Sequence, residues 1–383
     1  MVRLYGKTFS RRQLLRRIGS LDQVGGVKLA ELSDGAERGV RAAFVRTGSG
    51  LYFTVLLDRG MDISRAEYNG IPLGWRGPTG DLAPQFFEPQ GTGWLRGFFG
   101  GLLTTCGLTY LGAPTVDEGE ELGLHGRISY IPASNVYAGG YWEGDDYWIV
   151  VKGRLREVSM FGPNIVLERE IRAKLGSRKI HICDRVVNEG WRRQPLMILY
   201  HFNIGWPLVD ENARLVSTSV AYVPRDGDAW VKHEEYDLFE PPTPGFRERV
   251  YFHIAGVDGE GYAYAGILNE HLGAEGLGIY IKYPGNSLSR LVEWKMNGEG
   301  EYVVGVEPAN CLVMGRDKER EWGTLEYLEP GESREFRLEV GVLACRKEME
   351  EFKRRVEAVT GGKRPKLLKS IGEYINTLKR IHS

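Results

Sequence analysis

The chain has 383 residues, 42% hydrophobic and 26% charged, ordinary globular values that set aside disordered and fibrous readings. Lys and Arg number 50 against 51 Asp and Glu, a formal charge of −1, without the basic excess that binding a phosphate backbone requires; nucleic acid is not expected as a partner. No apolar run approaches the roughly 18 residues of a membrane span, the first thirty residues lack a signal-peptide pattern, and Cys106, Cys183, Cys311 and Cys345 form no CxxC pair, so a cytoplasmic protein without membrane partner, zinc site or disulfide framework is expected.

In chain order, Ser10 precedes Leu14, Leu15 and Ile18 interleaved with Arg11, Arg12, Arg16 and Arg17, which predicts a capped amphipathic surface helix within a helical segment over 1–20. The next long stretch, 21–345, reads as one β-rich domain. Its 51 glycines and 11% aromatic residues are chain-wide figures that suit strands joined by tight turns. Short strand-like runs recur as GLYFTVLLD, DYWIVVKGRL, NIVLEREIRAKL, KIHICDRVVNEG, GIYIKYP and EYVVGVEP, mostly bounded by Gly, Pro, Asn or Asp. After Gln194, the run PLMILYHFNIGWPL alternates Leu196, Ile198, Tyr200 and Phe202 with Met197, Leu199, His201 and Asn203. Both faces are nearly apolar, so this strand is predicted to be central and covered on both sides. Without regular intervening helices the pattern points to an antiparallel sandwich or barrel. GTGWLRGFFGG from Gly91 has the wrong spacing for a dinucleotide fingerprint or a P-loop. From Arg346 to Val359, Met349, Phe352 and Val356 recur on one helical face that ends at Gly361 and Gly362; a second helix is predicted over Pro365–Ile381, and 346–383 is read as a helical appendage packed on the sandwich or on another subunit.

Seven histidines are few enough to weigh singly. His125 lies in ELGLHGRISYIP between Gly123 and Gly126, either a surface histidine in a turn or an imidazole facing a ligand. His201 needs partners for its ring nitrogens if its strand face is buried, as a core histidine or a functional one. Glu307 follows Val303, Val304 and Val306, with Pro308 expected to stop the strand; a carboxylate so placed would have a pKa raised by desolvation, which suits a general base. His181, His253, His271 and His382 read as bland, and His233 in VKHEEYD stays an outside candidate.

Three segments, LHG at Leu124 to Gly126, HFNI at His201 to Ile204 and VEPAN at Val306 to Asn310, together resemble the aldose 1-epimerase (galactose mutarotase) superfamily, and more closely its less characterised cytoplasmic branch. The similarity covers most of 51–343. The resemblance implies a supersandwich of antiparallel sheets whose concave cleft holds a monosaccharide. By the same resemblance His125 orients the sugar, His201 is the general acid at the ring oxygen, and Glu307 is the base on the anomeric hydroxyl, with no cofactor and no metal. The family's acid position falls at Leu199 here, two residues before His201 and on the same strand face. Trp94 and Arg96 stand where the family carries ligand-binding arginine, Trp94 to stack on a pyranose and Arg96 to hold hydroxyls or an acidic group. Arg127, Asn203, Lys295 and Asn310 complete the expected binding set, and the pair Arg96 and Arg127 leads to the expectation of an anionic sugar. Two other readings stay open: a sugar-binding protein without catalysis, and a metal-dependent isomerase chelating through His125, His201 and Glu307. A homo-oligomer is possible under each.

Overall fold

The computed structural model describes residues 1–381; His382 lies outside them. Two antiparallel sheets dominate. The larger has 13 strands, and its path runs from Lys366–Leu367 through Ser219–Pro224, Arg249–Ala255, Arg290–Gly298, Glu301–Ala309, Gln194–Gly205, Leu103–Leu108 and Asp62–Tyr68 to Gly26–Glu31. The smaller, of eight strands, contains the long hairpins Ser134–Glu143, Asp146–Val158, Asn164–Lys174 and Lys179–Asn188. This is the galactose mutarotase-like supersandwich expected from the sequence.

Alternation explains how one strand serves two layers. In Gln194–Gly205, Leu196, Ile198, Tyr200, Phe202 and Ile204 point between the sheets into the main core. Met197 and Leu199 point the other way, into a second apolar cluster with Trp94, Phe98, Val292 and Ala309. The strand is central, paired with Leu103–Leu108 on one side and Glu301–Ala309 on the other.

The main core contains one fully buried ionic cluster. Arg169 of the smaller sheet donates through Nε and Nη2 to Asp184 at 2.9 and 2.6 Å, and through Nη1 to Asp62 of the larger sheet at 2.9 Å. Tyr200 Oη donates to the same Asp184 at 2.7 Å. Burial raises the Asp62 pKa to about 6, against the pull of Arg169 and the hydrogen bonds from Thr105.

The terminal expectations need correction. The segment 1–20 is not all helix: a hairpin of Val2–Leu4 and Lys7–Phe9 precedes the short helix Arg11–Leu15, which Ser10 and Gln13 cap reciprocally. Val2, Leu4 and Leu14 supply its apolar anchor against Leu175. The helix Arg346–Thr360 packs Met349, Phe352 and Val356 against Tyr264, Leu268 and Tyr280. The last helix spans Ile371–Ile381, shorter than the predicted Pro365–Ile381, because Lys366 and Leu367 pair in parallel with Ala221 and Tyr222. Both helices lie on the sheets of their own chain. No helix of the described residues is long and apolar enough to cross a membrane.

Replacing Arg169 with Met keeps the volume and removes the charge, leaving Asp62 and Asp184 buried without their cation. A loss of about 3–5 kcal/mol in unfolding free energy is expected from urea denaturation, the range for breaking a buried pair from one side. A loss below about 1 kcal/mol would show that the cluster is solvated rather than sealed.

Candidate functional site

The site is built on sheet register. Leu199 pairs with Ala309 and Phe202 with Val306, which sets His201 opposite Glu307. Asn310 N donates to Ile198 O at 3.1 Å, so by alternation hydrogen-bonded positions fall at Ile198, Tyr200 and Phe202, and His201 occupies the non-hydrogen-bonded position between Tyr200 and Phe202, where facing side chains come closest. His201 Nε2 is 3.2 Å from Glu307 Oε1. The same row continues through Val292 and Phe252 on one side and Thr104 on the other. The strand does not stop at Pro308, as expected from the sequence, but runs to Ala309, with Pro308 beside Leu291. The missing N–H costs one ladder bond, and the Asn310 side chain extends the ladder by accepting from Ile198 N at 2.8 Å and donating to Leu196 O at 2.9 Å.

His125 reaches the pair from a loop. Its φ of 56° lies in the left-handed region, a strained conformation for a non-glycine residue that is held by backbone bonds to Gly112 O at 2.9 Å and from Gly107 N at 3.0 Å. Gly126 follows with φ 80°, and a Cβ there would meet Gly107 O at 2.3 Å, so only glycine closes this turn. The ring centroids of His125 and His201 are 6.2 Å apart.

All three residues line one cleft of about 620 Å³. Its apolar walls include Trp75, Trp94, Phe98 and Trp294. Trp94 stacks on Phe98 at 4.7 Å and meets His125 edge-on at 4.9 Å, its Nε1 donating to Ser129 Oγ at 3.0 Å. At the far wall Glu248 accepts from Arg225 Nη2 and Trp294 Nε1, both at 2.8 Å. Arg225 also donates to Asp226 at 2.7 Å.

Burial dictates the proton inventory. Desolvation lowers the His125 pKa to about 4, against a raising influence of Glu248, and lowers that of His201 to about 3, with His125 adding to the effect. Desolvation raises the Glu307 pKa well above its ordinary range, and Glu248 raises it further. Burial thus favours the uncharged form of the imidazole and of the carboxyl alike. His125 Nδ1, His201 Nδ1 and Glu307 Oε1 are buried and have no hydrogen-bond partner in the protein. Gly305 makes room for that carboxylate: a Cβ there would lie 2.1 Å from Glu307 Oε1.

Of the residues expected to bind ligand, only Trp94 lines this cleft. Arg96 is 73% exposed and pairs with Glu88 at 2.9 Å, because the turn Gly93–Gly97 buries Trp94 and sends Arg96 outward. Arg127 leaves the loop away from His125, lies over Phe87 at 5.9 Å and borders a separate cavity with Tyr110 and Glu157. Asn203 is fully buried and donates to Gly100 O at 3.2 Å and His201 O at 2.9 Å. Lys295 points to the opposite face from Trp294, donating to Glu235 O at 3.1 Å, and Asn310 is spent on the ladder. The two arginines that motivated an anionic sugar therefore do not face the site. His233 is held by Trp230 O at 2.9 Å outside the cleft, and His253 forms a separate buried pair with Glu293 at 3.2 Å. Among the described residues no group of three or more His, Cys, Asp or Glu side chains is arranged to hold a metal ion, so the chelating alternative lacks a ligand set.

Sequence reading missed Trp75, Phe98, Trp294, Arg225 and Glu248. Alternation could have found Trp294, since Val292, Trp294 and Met296 share the face of Glu307 through the Val292 pairing. Arg225 and Glu248 flank the excursion between two paired strands and carry no local signal.

These directions fix a pH response. An unfolded His titrates near 6.5, so as pH falls from 6.5 toward 4 the unfolded chain takes up protons that His125 and His201 refuse, and stability falls; raised Glu307 acts oppositely, stabilising at low pH and losing that contribution above about pH 4.5. Histidine ¹⁵N spectra are expected to keep both rings neutral down to pH 5.5. Protonation of either ring near pH 6.5 would show that the cleft is wet.

The model of a domain of unknown function, DUF4432, matches residues 37–342. No curated protein matches the sequence. Among solved structures, a candidate aldose 1-epimerase from Klebsiella pneumoniae is similar with a TM-score of 0.85 at 24% identity, covering 90% of both chains. A galactose mutarotase-like protein from Clostridium acetobutylicum gives 0.58 at 13% identity over 84% of this chain and 99% of its own, and a galactose 1-epimerase from Lactobacillus acidophilus gives 0.54 at 12% over 83% and 99%. At these identities the likeness establishes the fold.

Proposed function

The chain belongs to the DUF4432 family, and within that family we propose that it is a carbohydrate-binding isomerase of aldose 1-epimerase type, interconverting the anomers of an uncharged sugar without a cofactor. The observation that carries the reading is the convergence of three unpartnered polar atoms, on His125, His201 and Glu307, in one aromatic-walled cleft. Polar atoms paired by nothing in the protein, beside rings that can stack on a pyranose, suit a ligand with many hydroxyls and an apolar face. The names of the similar structures point the same way.

In the proposed mechanism the reaction uses Glu307 as carboxylate and His201 as imidazolium, the charged form of a pair whose side chains stand 3.2 Å apart; burial disfavours that form in the empty cleft, and the hydroxyls of a bound sugar would stabilise it. Glu307 takes the proton of the anomeric hydroxyl while His201 gives one to the ring oxygen; the bond between C1 and the ring oxygen breaks and C1 becomes a carbonyl. Rotation about C1–C2 and reversal of both transfers closes the ring on the other face. His125 orients the sugar. The preference for an uncharged sugar follows from Arg225, the cleft's cation, being committed to Asp226 and Glu248. A cytoplasmic setting belongs to the same proposal.

The test follows the relaxation of freshly dissolved α-D-galactose and α-D-glucose by polarimetry or anomeric-proton NMR. Acceleration over buffer is expected, falling by about 10²–10⁴-fold in His201→Gln and Glu307→Gln, the usual worth of a positioned acid or base. Sugars that raise the melting temperature without any acceleration would make the protein a binding module instead.

A further inference from the structure

The three most exposed large apolar side chains of the described residues sit on neighbouring turns, outside the cleft. Met160 and Phe161, 83% and 87% exposed, form the turn between Asp146–Val158 and Asn164–Lys174, and Trp191, 95% exposed, lies in the turn after Lys179–Asn188. Backbone and side chain tie the turns into one tip: Glu189 N donates to Asn164 O at 2.9 Å, and Arg192 Nη1 donates to Phe161 O at 3.2 Å. Val158, 57% exposed, extends the patch. Nothing in the fold, the cleft or the proposed reaction uses these residues, and exposed apolar surface gathered at one place marks an interaction site.

We propose that this tip is the contact between two copies of the chain, related by a twofold axis. Two aromatic side chains that each bury roughly 150–250 Å², with Met160 and Val158 beside them, approach the roughly 800 Å² per partner of a standard interface. The rim favours a second copy over a surface of one sign. It carries both charges, Arg193 with Glu329 at 3.0 Å and Arg154 and Arg156 with Glu189 at 2.5 and 2.6 Å, and these pairs are solvent-accessible enough to exchange partners across a twofold axis. Arg154, Arg156 and Arg193 are committed to Glu189 and Glu329, so a bilayer of anionic lipid or a polyanion would have to break these pairs to bind them. The patch also borders the cavity shared by Val158, Pro163, Gly123 and Arg127, so the second copy sits behind the loop that carries His125.

Sedimentation velocity and light scattering of the full chain from 1 to 100 μM test the assignment. A dimer is expected that persists in 0.5 M salt, and Trp191→Glu combined with Phe161→Glu is expected to weaken it by at least 100-fold. Because both side chains are exposed, the variant should keep the wild-type circular dichroism and melting temperature; if it does not, Met160→Glu alone replaces it. A monomer at 100 μM overturns the proposal, as does a dimer that survives these substitutions. Flotation of the monomeric wild type with phosphatidylcholine–phosphatidylserine vesicles, lost in the variant, would give the tip to a bilayer and equally overturn it.

Discussion

The guanidinium of Arg169 ties the two sheets together at the back of the cleft. Three of its nitrogens are spent on Asp184 and Asp62, which stand on different sheets, and all these side chains are sealed from water. Such pairs add little net stability, because desolvation consumes most of the Coulombic gain. Their contribution here is direction. Asp62 accepts from Thr105 N and Oγ1 at 2.9 and 2.6 Å, and Asp184 accepts from Tyr200. Thr105 and Tyr200 are cross-strand partners, one residue away from the Thr104 and His201 pair that faces the cleft. Polar contacts on the hidden face thus fix the strands whose other face lines the cleft.

The site divides its labour by element. His201 and Glu307 stand on adjacent central strands, where the pleat sets their separation, and His125 is held by a turn that only Gly126 closes. The walls come from elsewhere: Trp94 and Phe98 from a short turn and the segment after it, Trp294 from a neighbouring strand, Arg225 and Glu248 from the ends of two others. Proton inventory is set by neither group of residues alone but by how thoroughly the walls exclude water from the strand residues.

The strand-rich fold was legible because period-two alternation and turn residues are local properties, and Gln194–Gly205 could be placed as central because both its faces are apolar. His125, His201 and Glu307 were legible through their short motifs. The wall residues were not, because nearness in sequence says little about facing. Arg127 follows the loop histidine by two residues and points elsewhere, whereas Glu248 belongs to the cleft from a distant strand end. Lys295 was expected to bind ligand, whereas the pleat turns its neighbour Trp294 toward the cleft. Pro365 suggested a helix start, yet Lys366 and Leu367 pair with Ala221 and Tyr222, a tertiary contact with no local signature.

Pro308 bears on motion rather than placement. It sits opposite Tyr200, at a position where the ladder would otherwise hold a bond between the Gln194–Gly205 and Glu301–Ala309 strands, and it has no N–H to give. The seam between these strands therefore lacks a bond beside His201 and Glu307, while Asn310 re-stitches it immediately beyond. At that point the two strands are held by packing and not by a ladder bond from Pro308. For the proposed ring opening, in which donor and acceptor stand on these two strands, a missing ladder bond leaves their spacing to the side chains and the bound sugar instead of the backbone.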